Sequence, residues 1–108
     1  MAKAFIHPSV EDLNIDNILS ALSDPARRNM IFRLMGCDGM NCSEACEEDK
    51  LPPSTISFHT RILRDAGLIY SEKRGVSVIN TARKDDIEKR FPGLLHAIFQ
   101  HHIQTKKN

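Results

Sequence analysis

Between Leu51 and Gly67 the chain reads LPPSTISFHTRILRDAG. Ser54, Thr55 and Ser57 bring hydroxyls, His59 an imidazole and Arg61 a guanidinium into one short stretch. These groups donate and accept hydrogen bonds, and the short hydroxyls let a backbone approach another surface closely. Immediately after comes LIYSEKRGVSVIN, in which Lys73 and Arg74 precede Gly75 between two strand-like runs. Hydroxyls suited to base edges or phosphates, beside cations suited to a phosphate backbone, point to recognition of a nucleic acid rather than to bond-making chemistry.

The second set of reactive residues is Cys37, Cys42 and Cys46. Cys42 and Cys46 stand four apart and share a helical face. Their thiolates could join Cys37 and a fourth ligand around a soft metal. On an intact helix that pair is too far apart for an unstrained disulfide, whereas Cys37 and Cys42, separated by a glycine loop, could oxidise. His96, His101 and His102 place at most two imidazoles on one helical face, which reads as the rim of a helix packed on something else. No Ser-His-Asp order, phosphate-cradling glycine loop or complete metal motif occurs. A small thiol-dependent enzyme is therefore the remote alternative, and an adaptor that kept the fold but lost DNA is opposed by Arg61, Lys73 and Arg74.

The elements that must hold these residues follow from periodicity. Glu11 to Leu22 reads as a first helix, with Leu13, Ile15, Ile18, Leu19 and Leu22 apolar. Ser23-Asp24-Pro25 is a stop followed by a new N-cap, and Gly36 ends the helix it starts. Arg27, Arg28 and Arg33 read as a mostly solvated face of that helix. Cys37 to Asn41 is a loop, Cys42 to about Glu48 a short helix, and Leu51-Pro52-Pro53 a turn. On the helix from Pro53 to Ala66, Ile56, Thr60 and Leu63 lie together, with His59 at one edge, while Ser54, Phe58, Arg61 and Asp65 lie opposite. His59 is left with two readings, a phosphate contact or a half-buried hydrogen bond to the preceding helix. Gly67 stops the helix. Leu68-Ile69-Tyr70 and Val76-Ser77-Val78-Ile79 are strands joined across Lys73-Arg74-Gly75. Arg83 to Arg90 is a charged helix, and after Phe91-Pro92-Gly93 a last helix carries Leu94, Leu95, Ile98 and Phe99.

The 108 residues fit one domain, with residues 1–10 expected as a loose arm. Net charge is only +1, but between residues 54 and 84 six cations face just Asp65 and Glu72. The positive excess thus falls in the segment suspected of touching nucleic acid. No apolar run is long enough to span a membrane, and the N-terminal stretch has no secretory h-region. An odd cysteine count without such a signal argues for a reducing cytoplasm.

The segments LSDPARRNMIFRLMG and STISFHTRILRDAGLIYSEKRGVSVI resemble the ArsR-type family of bacterial winged-helix repressors over roughly residues 18 to 80, and the tail DDIEKRFPGLL is similar to one branch of it. The resemblance implies a mainly α, α+β fold: a winged helix-turn-helix with a two-stranded hairpin wing and terminal helices forming a dimer interface. It also implies a cytoplasmic homodimer that represses transcription by binding a palindromic double-stranded DNA operator. Helix 53–66 would read the DNA and wing 68–80 would reach the backbone. The expected DNA contacts are Ser54, Thr55, Ser57, Phe58, His59, Arg61, Lys73 and Arg74. Where the family often has Arg or His, this chain has Phe58, which would replace a hydrogen bond with contact to a thymine methyl. Leu13, Ile18, Leu94, Leu95, Ile98 and Phe99 are the expected dimer contacts, the last four on a dimerisation helix over 94–104. In metal-sensing relatives a Cys-x-Cys-x-x-Cys pattern precedes the DNA-reading helix; here Cys46 matches its last position, but Asn41 and Ser43 occupy the other two. No metal or cofactor is expected, and a metal- or thiol-redox-responsive repressor using Cys37, Cys42 and Cys46 is the alternative.

Overall fold

The computed structural model describes residues 5–36, 40–41 and 51–107. Cys37, Cys42, Cys46 and the short helix expected from Cys42 to Glu48 lie outside the described residues. The elements are α1 (Ile15–Ala21), α2 (Pro25–Met35), β1 (Met40–Asn41), α3 (Pro53–Asp65), β2 (Ile69–Arg74), β3 (Ser77–Ala82), α4 (Lys84–Arg90) and α5 (Leu94–Lys107), preceded by a 3-10 turn over Val10–Asp12.

The expected first helix is broken in two. The chain is extended at Leu13 and Asn14, and the Asn14 side chain accepts from the Asn17 N–H at 3.1 Å. An asparagine that caps a helix competes with continuing one, so the regular helix starts only at Ile15. The second start is where the residues placed it. Asp24 Oδ1 accepts from the N–H groups of Ala26 at 2.8 Å and Arg27 at 3.3 Å, and Pro25 takes the first helical position.

Strands pair in the order β1-β3-β2, all antiparallel. The wing is longer than the sequence suggested: Ile69 faces Ala82 and the ladder runs out to Arg74 opposite Ser77, so the tip is Gly75-Val76. Met40 and Asn41, expected in a loop, add a short third strand against Asn80 and Ile79. The core joins Ile18 of α1, Met30, Ile31 and Leu34 of α2, Leu63 of α3, Leu68 and Ile69 at the root of the wing, and Ile87 and Leu95 of the last two helices. Each such fully buried side chain stabilises the fold by roughly 1.5–3 kcal/mol.

Between α3 and the wing the chain turns on Gly67. The Leu68 N–H donates to Leu63 O and the Gly67 N–H to Arg64 O, both at 3.0 Å, which is the paired bonding of a glycine-terminated helix. Gly67 has φ +83°, and a Cβ there would overlap Leu13 and press on Pro8. Gly67→Ala is therefore expected to lower stability in urea unfolding by about 2 kcal/mol or more, and to speed amide exchange at Ser71, where the N-terminal segment is bound.

Candidate nucleic-acid interface

Helix α3 divides its polar groups between an inner and an outer surface. Thr60 is buried, and its Oγ1 donates back to Ile56 O at 2.8 Å. Ser54 and Ser57 are exposed and Thr55 is half-buried, and among the described residues their hydroxyls make no hydrogen bond. Pro52 provides no side-chain cap, so the free N–H groups of the first turn also point outward. Arg61 follows on the exposed side. Its ion pair with Asp65 is long, 3.9 Å, and both side chains are well exposed, so it holds the guanidinium weakly. The outer face thus offers unpaired donors and acceptors, a positive helix end and a nearly free cation.

Phe58 lies on that face and is 58% exposed. His59 does not: it is buried, and its Nδ1 lies 3.0 Å from Arg27 Nη1. A guanidinium only donates, so Nδ1 is the acceptor. Of the two readings of His59, the geometry matches packing against the preceding helix, because a ring held there cannot reach a surface phosphate. Arg27 and Arg28, read as a solvated face, are also structural. Arg27 Nε donates to Ala21 O at 2.6 Å, and Arg28 donates to Leu22 O at 2.8 Å and to His102 Nδ1 at 3.2 Å.

Lys73 and Arg74 sit on the exposed outer half of β2, next to the tip rather than within it. Arg74 binds the Glu72 carboxylate through Nε at 3.1 Å and Nη2 at 2.9 Å, while Lys73 has no partner among the described residues. Gly75 takes φ +62° to close the turn, and Val76 beyond it is completely exposed.

The positive excess of this segment is only partly at the surface. Arg64 lies over the Phe5 ring, 4.5 Å from its centre, and donates to Ser71 Oγ at 3.3 Å. Arg83 donates to Pro8 O at 2.8 Å and pairs with Asp86 at 3.0 Å. Both cations hold the N-terminal segment, which is therefore no loose arm from Phe5 onward. Its His7 stacks on Tyr70 with ring centres 4.4 Å apart, and His7 Nε2 accepts from the Ser71 N–H at 2.9 Å. No local signal in residues 5–8 announces this, since every partner is at least 59 positions away.

The expected dimer contacts also divide. Leu13, Ile18 and Leu95 are buried in the protomer's own core and have no surface left for a second copy. Leu94, Ile98 and Phe99 are half-buried against that core, and Phe99 meets Phe32 at 4.9 Å between ring centres. The apolar residues that α1 does present are Ile15 and Leu19. Among the described residues no group of three or more His, Cys, Asp or Glu side chains could hold a metal, and no helix is long and apolar enough to cross a membrane.

Residues 24–71 match the family model described as bacterial regulatory protein, arsR family. The chain is 31% identical over 83 residues to the uncharacterized HTH-type transcriptional regulator YceK of Bacillus subtilis, covering 75% of this chain and 82% of that one. It is 33% identical over 61 residues to the transcriptional repressor SdpR of the same organism, covering 56% and 67%. Among solved structures, an ArsR-like transcriptional regulator from Rhodococcus sp. RHA1 superposes with a TM-score of 0.62 at 21% identity, over 86% of this chain and 89% of the other.

His7 supplies a test of the docked arm. Burial, then the charges of Arg83 and Arg64, lower its pKa below the ordinary 6.5. The folded state thus favours the neutral ring, so the unfolded chain binds more protons as pH falls below 6.5. The contribution of His7 to stability is complete above 6.5 and fades as pH drops through the folded-state value. The unfolding free energy of the wild type, measured by urea titration, is expected to fall more steeply below pH 6.5 than that of His7→Gln. Parallel curves would mean that the arm is not held by a neutral His7.

Proposed function

Because the chain belongs to the arsR family of bacterial regulatory proteins, and is thus a DNA-binding transcriptional regulator, we propose that it acts as a homodimeric repressor of a palindromic operator. Membership also sets aside the small thiol-dependent enzyme, since the family and its matched relatives are regulators of transcription. The observation that carries the finer reading is the outer face of α3, with free hydroxyls and Arg61 beside the wing cations. The name of one relative, a transcriptional repressor, supports repression as the direction of control.

In this reading α3 lies in a major groove, with Ser54, Thr55, Ser57 and Phe58 toward base edges and Arg61 toward guanine or phosphate. Lys73 and Arg74 lie against the neighbouring backbone, where their charge adds affinity without reading sequence. Two-fold symmetry places two α3 helices about one turn of DNA apart, roughly 34 Å, or a multiple of it. Ile15 and Leu19 on α1, with Leu94 and Ile98 on α5, form the patch that meets the second copy, in place of the buried Leu13, Ile18 and Leu95. Repression takes place in the cytoplasm, and no metal or cofactor is needed for DNA binding.

Operator binding tests the docking. Arg61→Ala and the double change Lys73→Ala with Arg74→Ala should each weaken binding in gel-shift titrations while sedimentation still reports a folded dimer. The double change should also flatten the log–log salt dependence by about two. Unchanged affinity in both proteins rules out this docking. A triple Cys→Ser protein at positions 37, 42 and 46 should bind with wild-type affinity; one that folds but no longer binds would mean that the cysteines take part in DNA recognition.

A further inference from the structure

We propose that Phe58 sets the base preference of this regulator by packing its ring on the 5-methyl group of thymine. The inference rests on α3 lying in a major groove. Phe58 follows Ser54 by four positions and precedes Arg61 by three, so all three share the outward face of α3. It is the one large apolar side chain on that face that is mostly exposed, at 58%. An exposed phenyl loses hydration favourably only against another apolar surface. In the major groove each base pair presents hydrogen-bonding groups, and the apolar feature available is the thymine methyl. A phenyl has nothing to give a phosphate or a guanine edge.

The ring is also supported from below. Its centre lies 5.8 Å from that of the adjacent His59 ring, tilted by 50°. His59 is buried and held by Arg27, which is itself anchored on Ala21 O. The phenyl therefore projects from a fixed base, and little freedom is lost when it meets the DNA.

The test uses the full chain and an operator obtained by selection from randomised duplex DNA. Each thymine of a half-site is replaced in turn by deoxyuridine, which removes only the methyl group. At one or two positions the wild type should bind about fourfold more weakly per replaced thymine, the factor expected for one buried methyl-sized group. Phe58→Ala should bind the thymine and deoxyuridine operators equally, and Phe58→Leu should restore part of the discrimination. Because Phe58 is exposed, both variants should keep the wild-type melting temperature. A wild type indifferent to every methyl, an operator with no thymine in its half-sites, or a Phe58→Ala protein that still discriminates would each overturn the inference while leaving α3 docking intact. A protein that selects no sequence at all overturns the docking itself, and this inference with it.

Discussion

Two adjacent arginines on α2 tie the helices of this protein together. A helix ends with carbonyls that have no partner of their own, and it presents the negative end of its dipole there. Arg27 and Arg28 take up the last carbonyls of α1, those of Ala21 and Leu22. Neighbouring helical positions point about 100° apart, so what remains of each guanidinium reaches a different element. Arg27 meets His59 on α3, and Arg28 meets His102 on α5. His102 Nε2 in turn lies 2.7 Å from Asn29 Oδ1, which returns the network to α2. A lysine, with a single point of charge, could not bond two elements through one planar fork. The orientation of α3 is thus fixed by polar contacts on one side and by Leu63 in the core on the other.

Much of this was legible in the residues themselves. Ser23-Asp24-Pro25 gave the start of α2 because N-cap and first-turn chemistry is local. Gly67 gave the end of α3 for the same reason, and the inner and outer faces of α3 followed from helical spacing. Apart from the Asn14 cap, which competes locally with a longer helix, the parts that were not legible depend on contacts between distant positions. The single sequence pattern from Glu11 to Leu22 did not show that Asn14 would cap rather than continue a helix. Arg64 and Arg83 counted toward a basic segment, yet the fold turns both toward Phe5 and Pro8. Leu13, Ile18 and Leu95 carry the same apolar signature as Ile15 and Leu19, and only packing decides which side of a helix the core absorbs.

The division of charge follows from the same packing. Cations bonded to backbone carbonyls or stacked on rings stabilise the protomer and keep their charge, but their donors are already taken and cannot turn to an outside anion. Arg61, Lys73 and Arg74 are the ones left outside in the segment from residue 54 to the end of the wing, which explains how a chain of net charge +1 can still present a locally positive surface. Their weak or absent pairing keeps them available, because an exposed ion pair such as Arg74 with Glu72 is readily exchanged for another anion.

The stacked His7 has a consequence beyond holding the wing in place. β2 is an edge strand of its sheet, so the Ser71 N–H points away from β3, on the side where no further strand pairs with it. An outer strand with free amides is a template on which a second chain can add its own strand. By taking that amide with a side chain and laying an aromatic ring beside it, the N-terminal segment closes the sheet with something that cannot propagate. The wing can then meet other molecules through its tip and side chains rather than by strand addition at Ser71. How cleanly the protein stays apart from its own copies along that edge is thus set near the beginning of the chain, more than sixty positions before the strand it protects.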